Sequence, residues 1–143
     1  MNLINNRYRI IRNLYEDRIM SSYIVSDKVN LNEIIQLNII NSEVVSTSSI
    51  DFFIREFIRF TDIDNSNIRK VFKFGLIYSI DNKQLNNNEY FYTNEYIENN
   101  IKFEDLLSVI NEENILNIFL QICSALNYLH LRGFIYGEIN IIL

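Results

Sequence analysis

Residues 117–138, NIFLQICSALNYLHLRGFIYGE, carry the reading of the fold. Ile118, Phe119, Ile122, Cys123, Leu126 and Leu129 recur at helical spacing, which predicts a helix with one apolar face. Leu131-Arg132-Gly133 ends it, with a base and a glycine where a helix terminus favours them. The apolar run Phe134-Ile135-Tyr136 then leads to Gly137-Glu138. Cys123 lies on the apolar face and reads as core packing. As the single cysteine it excludes an internal disulfide framework.

Upstream, Asn111-Glu112-Glu113 supplies a cap and acids for the first turn of this helix. Phe103, Leu106, Leu107 and Ile110 predict a short helix before it. Further back the period changes to that of strands. Tyr8-Arg9-Ile10-Ile11, Tyr23-Ile24-Val25 and Glu33 to Ile40 are three strand candidates, with a turn near Asp27-Lys28-Val29-Asn30. Ser48 and Asp51 approximate a capping box, and Ile50, Phe53, Ile54, Phe57 and Ile58 form an apolar helical stripe. Ile68 to Ile80 and Tyr90 to Tyr96 read as a strand pair joined through the polar stretch Asp81 to Asn88. The predicted order is three strands, a helix, two strands, then helices.

Composition bounds what such a chain does. Its 143 residues suffice for one modest core, and 48% are apolar. No apolar run reaches the length of a membrane span, so a soluble class without a membrane partner is expected. The start lacks a basic, apolar, small-residue leader pattern, and the expected location is cytoplasmic. A net charge of −5 with scattered bases argues against nucleic acid. Abundant Asn and Ile, with Pro and Trp absent, fit the coding bias of an AT-rich, bacterial genome.

Tyr128-Leu129-His130-Leu131-Arg132-Gly133 resembles the helix and catalytic-loop approach of the eukaryotic-type protein kinase fold, which ends in Tyr-Leu-His-x-x-Gly. Asp64 to Val71 is similar to the family's His-Pro-Asn-Ile-Val segment, and Tyr92-Thr93-Asn94-Glu95-Tyr96-Ile97 to its gatekeeper and hinge. The resemblance implies an α+β fold: a kinase-like small lobe with an antiparallel sheet and one helix over residues 1–97, then the incomplete start of a large lobe over 98–143.

The resemblance also implies ATP and Mg as cofactors, but its chemical groups are altered. Phosphoryl transfer depends on positioning and charge neutralisation. The segment Tyr15 to Ser22, matching the glycine-rich loop, holds no glycine to let backbone N–H groups approach phosphates. Asn38 stands where the family has its phosphate-pairing lysine, and Gln36 replaces a small alanine and needs its own hydrogen-bond partner. Glu56 matches the helix glutamate that pairs with that lysine. Thr93 falls at the gatekeeper, with Glu95 and Ile97 at the hinge.

Tyr136-Gly137-Glu138 replaces His-Arg-Asp, so Glu138 occupies the catalytic-base position with a side chain one methylene too long. The second metal-binding residue is lost, and no metal ligand is assigned. His130, lacking a nearby Cys or His, reads as structural. These losses imply a degenerate, pseudokinase-like regulatory or interaction module of a bacterial signalling protein that binds ATP–Mg weakly or not at all. Its expected partners are other domains of that protein or a separate protein. The alternative is an ATP-binding serine/threonine kinase domain, active only when complete. An incomplete core would also leave the stripe Ile118, Ile122, Leu126 and Leu129 partly covered, with Ile139, Ile141, Ile142 and Leu143 as an apolar tail.

Overall fold

Strand-period sequence over residues 8–40 and 71–95 builds most of the first of two units. In a computed structural model that describes residues 3–98 and 110–134, the chain divides into Met1–Ile63 with Lys70–Tyr96, and Asp64–Arg69 with Ile97–Leu143.

The first unit holds strands β1 (Leu3–Ile4), β2 (Tyr8–Glu16), β3 (Met20–Asp27), β4 (Glu33–Ile40), β5 (Val71–Ile80) and β6 (Lys83–Glu95), with helix α1 (Thr47–Thr61) between β4 and β5. The strands close into an antiparallel barrel in the order β1-β2-β3-β4-β6-β5. This corrects the expected fold. An α+β kinase-like small lobe has an open sheet, and here the sheet has no break, because β1 pairs with β2 on one side and with β5 on the other.

The closing device is too short to carry a period. Asn5 and Asn6 both take positive φ, at 49° and 54°. Arg7 N–H donates to the Ile4 carbonyl at 2.9 Å. That is a tight β-turn with two left-handed central residues, inside a three-residue connection between the paired Ile4 and Tyr8. Asn tolerates the left-handed region because its short polar side chain bonds locally. The Asn5 carboxamide also fastens β5, donating to the Leu76 carbonyl and accepting from the Tyr78 and Ser79 N–H groups. Asp81 ties the other end, accepting from Leu3 N–H at 2.7 Å.

Strand alternation sorts residues to two faces. Ile4, Tyr8, Val25, Ile35, Leu37, Ile77 and Phe91 point inward and form the core. The Phe91 ring meets Tyr8 edge-on at 5.5 Å. It also fills the space over Gly75, its cross-strand partner, where a Cβ would approach the ring to 2.9 Å. At one end of the wall, Arg7 clasps Asp27 through two hydrogen bonds of 2.8 and 2.6 Å. Burial alone would raise the Asp27 pKa. The Arg7 hydrogen bonds and the Val29 N–H outweigh it, and the carboxyl titrates below its ordinary value.

Helix α1 lies over the outer face of β5 and β6. Phe53 and Phe57 pack on Phe74 and Tyr92, with ring centroids 5.3–5.9 Å apart. Its cap is Ser46, accepting from Ser49 N–H, rather than the expected Ser48. Ile50 and Phe57 of the predicted stripe are buried, while Ile58 is exposed.

The second unit contains α2 (Glu112–Leu131). Asn111 caps it by accepting from Asn114 N–H at 2.9 Å, and Glu112 and Glu113 occupy the first turn. At the other end Gly133 has φ 75°. Gly133 N–H reaches the His130 carbonyl and Phe134 N–H reaches the Leu129 carbonyl, the two bonds of a Schellman stop. Arg132 covers the Tyr128 ring at 3.6 Å. Of the expected stripe, Leu129 is buried and Ile118, Ile122 and Leu126 are half-buried. Cys123, expected in the core, is exposed, because the more buried side of the helix runs through Ile115, Ile118, Ile122 and Leu129. The short helix expected over Phe103, Leu106 and Leu107, and the tail Ile139 to Leu143, lie outside the described residues.

Candidate functional site

The outer face of β3, β4 and β6 carries a buried polar cluster. Outward residues alternate with the core on each strand, so Ser22, Gln36, Asn38 and Asn94 share one side of the wall. All four are buried, and Ser22 and Asn38 almost completely. Ser22 Oγ donates to Asn38 Oδ1 at 2.8 Å. Gln36 Nε2 donates to Ser22 Oγ at 2.6 Å and to Asn38 Oδ1 at 2.9 Å. Asn38 Nδ2 donates to Asn94 Oδ1 at 2.8 Å. Each member is neutral at any ordinary pH. Such a cluster fixes geometry through directional bonds and supplies neither a cation for an anionic ligand nor a proton-transfer group.

The same face continues past this cluster into an apolar groove of about 450 Å³. Met20, Ile40 and Tyr92 form its floor, Ile50, Phe52 and Phe53 of α1 one wall, and Asp17 stands at its mouth. The Tyr92 hydroxyl is engaged with Met20 Sδ at 3.4 Å. Asp17 belongs to the β2–β3 loop and holds it: its Oδ1 accepts from Ile19 N–H at 2.7 Å and Met20 N–H at 2.8 Å. The glycine-free loop that matches the family's glycine-rich segment therefore satisfies two of its donors with its own carboxylate.

The residues assigned from sequence do not converge. Asn38 is in the cluster. Thr93 is buried on the opposite, inward side, where its hydroxyl points to the Lys73 carbonyl at 3.5 Å. Glu56 sits on α1 and pairs with Arg59 one turn away at 3.2 Å. Glu95 ends β6 and bonds to Lys70 through its backbone N–H and its carboxylate. Ile97 belongs to the second unit and is 40% exposed. Glu138 lies outside the described residues.

Sequence reasoning missed Ser22 and Asn94. Parity would have found them: Asn94, not Thr93, is two residues from Tyr92 on the face that Asn38 shares. Gln36 was expected to need a hydrogen-bond partner, and among the described residues it bonds to Ser22 and Asn38. Among the described residues no group of His, Cys, Asp and Glu is placed to hold a metal ion, and no helix is long and apolar enough to cross a membrane.

No protein-family model matches this chain, and no curated protein matches it. Together with the closed barrel, that removes the basis for the kinase, pseudokinase, ATP-binding and signalling expectations carried by the resemblance.

Proposed function

We propose that this chain is a non-catalytic interaction module, acting in the cytoplasm on a protein partner or on other domains of a larger protein. The observation that carries the reading is the chemistry of the buried cluster. Asn38 commits its amide to Ser22, Gln36 and Asn94, all neutral. A reacting group beside it would find hydrogen bonds already made and, among the described residues of the cluster, no titratable group. The exposed Cys123 thiol suits a reducing compartment. On α2, Leu116, Phe119 and Leu120 are spaced three and four apart and all more than half exposed, which offers apolar surface of the kind partners cover.

On this reading ATP–Mg is not a ligand. The Asp17 carboxylate repels phosphate from the β2–β3 loop, and Asn38 brings no charge to offset it. Calorimetric titration of ATP with and without magnesium should give no magnesium-dependent heat. A micromolar, magnesium-dependent dissociation constant would overturn the proposal.

A further inference from the structure

The groove beside the cluster has a different character from its neighbour. At about 450 Å³ it falls within the size range of small-molecule sites. Its lining is almost wholly apolar, with Ser49 and Asp17 as the polar exceptions. Ile19 and Phe52 are more than half exposed, so they line an accessible mouth rather than a sealed void.

The charge at that mouth is fixed. Two backbone N–H bonds hold Asp17 by one oxygen, so the carboxylate is oriented before any ligand arrives. An ammonium group near it gains Coulomb energy where a carboxylate loses it. The Tyr92 hydroxyl, turned to Met20 Sδ, leaves the floor to present ring and thioether surface. Both take apolar chains well, and an aromatic ring face also attracts cations.

We infer that this groove binds a hydrophobic amine, its apolar body along Met20, Phe52 and Phe53 and its ammonium group at Asp17. The inference does not depend on the interaction reading, because no residue of the amide cluster or of α2 is among those lining the groove.

Decylamine, decanol and decanoate are suitable probes, kept below their micelle concentrations. They share one chain and differ in head-group charge. Binding is read by calorimetry on the full chain and by the Met20 methyl resonance. Decylamine should bind at least tenfold more tightly than decanoate, with decanol between them, and should shift the Met20 signal. Asp17→Asn keeps the Oδ1 acceptor that the loop needs. It should reduce decylamine affinity to that of decanol and leave decanol unchanged. Phe52→Ser, at an exposed position, should weaken all three probes. Circular dichroism checks that both variants remain folded. Decanoate binding as tightly as decylamine, equal decylamine affinity in the Asp17→Asn chain, or a Met20 signal that no probe moves would each overturn the proposal.

Discussion

The inner and outer faces of the barrel wall come from the same strands and bury opposite chemistry. Inward, Leu37 and Phe91 pack among aliphatic and aromatic neighbours. Outward on the same two strands, Asn38 and Asn94 are also buried, and hydrogen bonds hold them. The inner face gains from area removed from water and is indifferent to direction. The outer face gains little net energy per bond but loses heavily if one partner is removed. Burial along β4 and β6 therefore does not mark one core. It marks a core that sets stability and a polar layer that sets geometry.

The largest effect should come from the inner face. Phe91→Ala removes the ring that fills the space over Gly75 and meets Tyr8 edge-on. A cost of about 3–5 kcal/mol is expected, read as a drop in the denaturant midpoint at constant slope. A smaller cost than that of any change in the outer cluster would break the comparison.

Next is the outer face. Asn38→Leu keeps roughly the volume but deletes an acceptor used by Ser22 and Gln36 and a donor used by Asn94. A loss of about 1–3 kcal/mol is expected, because the partners stay buried. Removing a partner as well should recover part of it. The Ser22→Ala, Asn38→Leu double variant should lose less than the sum of the singles. Strict additivity in that cycle would mean the cluster is not a coupled unit.

Element order was legible in the sequence, and closure was not. The strands around Tyr23-Ile24-Val25 and Glu33 to Ile40, the helix around Phe53 and Phe57, and the stop at Gly133 all follow from period and end chemistry. The barrel depends instead on Leu3 and Ile4, two residues that no periodicity test resolves. The available signal was Asn5-Asn6, a dipeptide suited to a tight hairpin turn. The site failed for another reason. A resemblance assigned Asn38, Glu56, Thr93, Glu95 and Ile97 by spacing, whereas strand parity puts Asn38 and Thr93 on opposite faces. Cys123 was misplaced because α2 carries apolar residues around much of its girth. Spacing alone could not choose between the line through Ile118 and Ile122 and the one through Phe119 and Cys123.

A smaller effect of opposite sign is expected at a flaw in the inner face. The Tyr8 hydroxyl is buried with no hydrogen-bond partner among the described residues. Burial pushes its pKa up to about 12. Tyr8→Phe removes an unsatisfied polar group and keeps the ring, so stability should rise by about 1 kcal/mol at neutral pH. The pH dependence sharpens the test. The unfolded phenol ionises near pH 10, and the folded one at about 12. Between those values the unfolded state holds fewer protons, so stability falls as pH rises through that window. The Tyr8→Phe chain should lose less stability than the parent as pH rises through that window. Parallel curves would show that Tyr8 ionises alike in both states.

The smallest effect should belong to neither face. The turn between β3 and β4 places Leu31 at φ 49° and Asn32 at φ 61°. Glu33 N–H closes it on the Asn30 carbonyl at 2.8 Å. This geometry suits Asn32 and penalises Leu31, whose Cβ crowds the following carbonyl. Leu31 is 96% exposed, so no packing offsets the strain. Asn at position 31 would reproduce the Asn5-Asn6 pair that turns β1 into β2, without the extra chain entropy that Gly brings. Leu31→Asn should therefore raise stability by about 0.5 kcal/mol, seen as a small rise in the thermal midpoint. The turn touches neither the core around Phe91 nor the amides around Asn38. Its gain should add to that of Tyr8→Phe and leave the Ser22–Asn38 coupling unchanged. A change in that coupling would mean the turn sets the register of β3 against β4. The outer cluster would then owe its geometry to a strained loop rather than to its own hydrogen bonds.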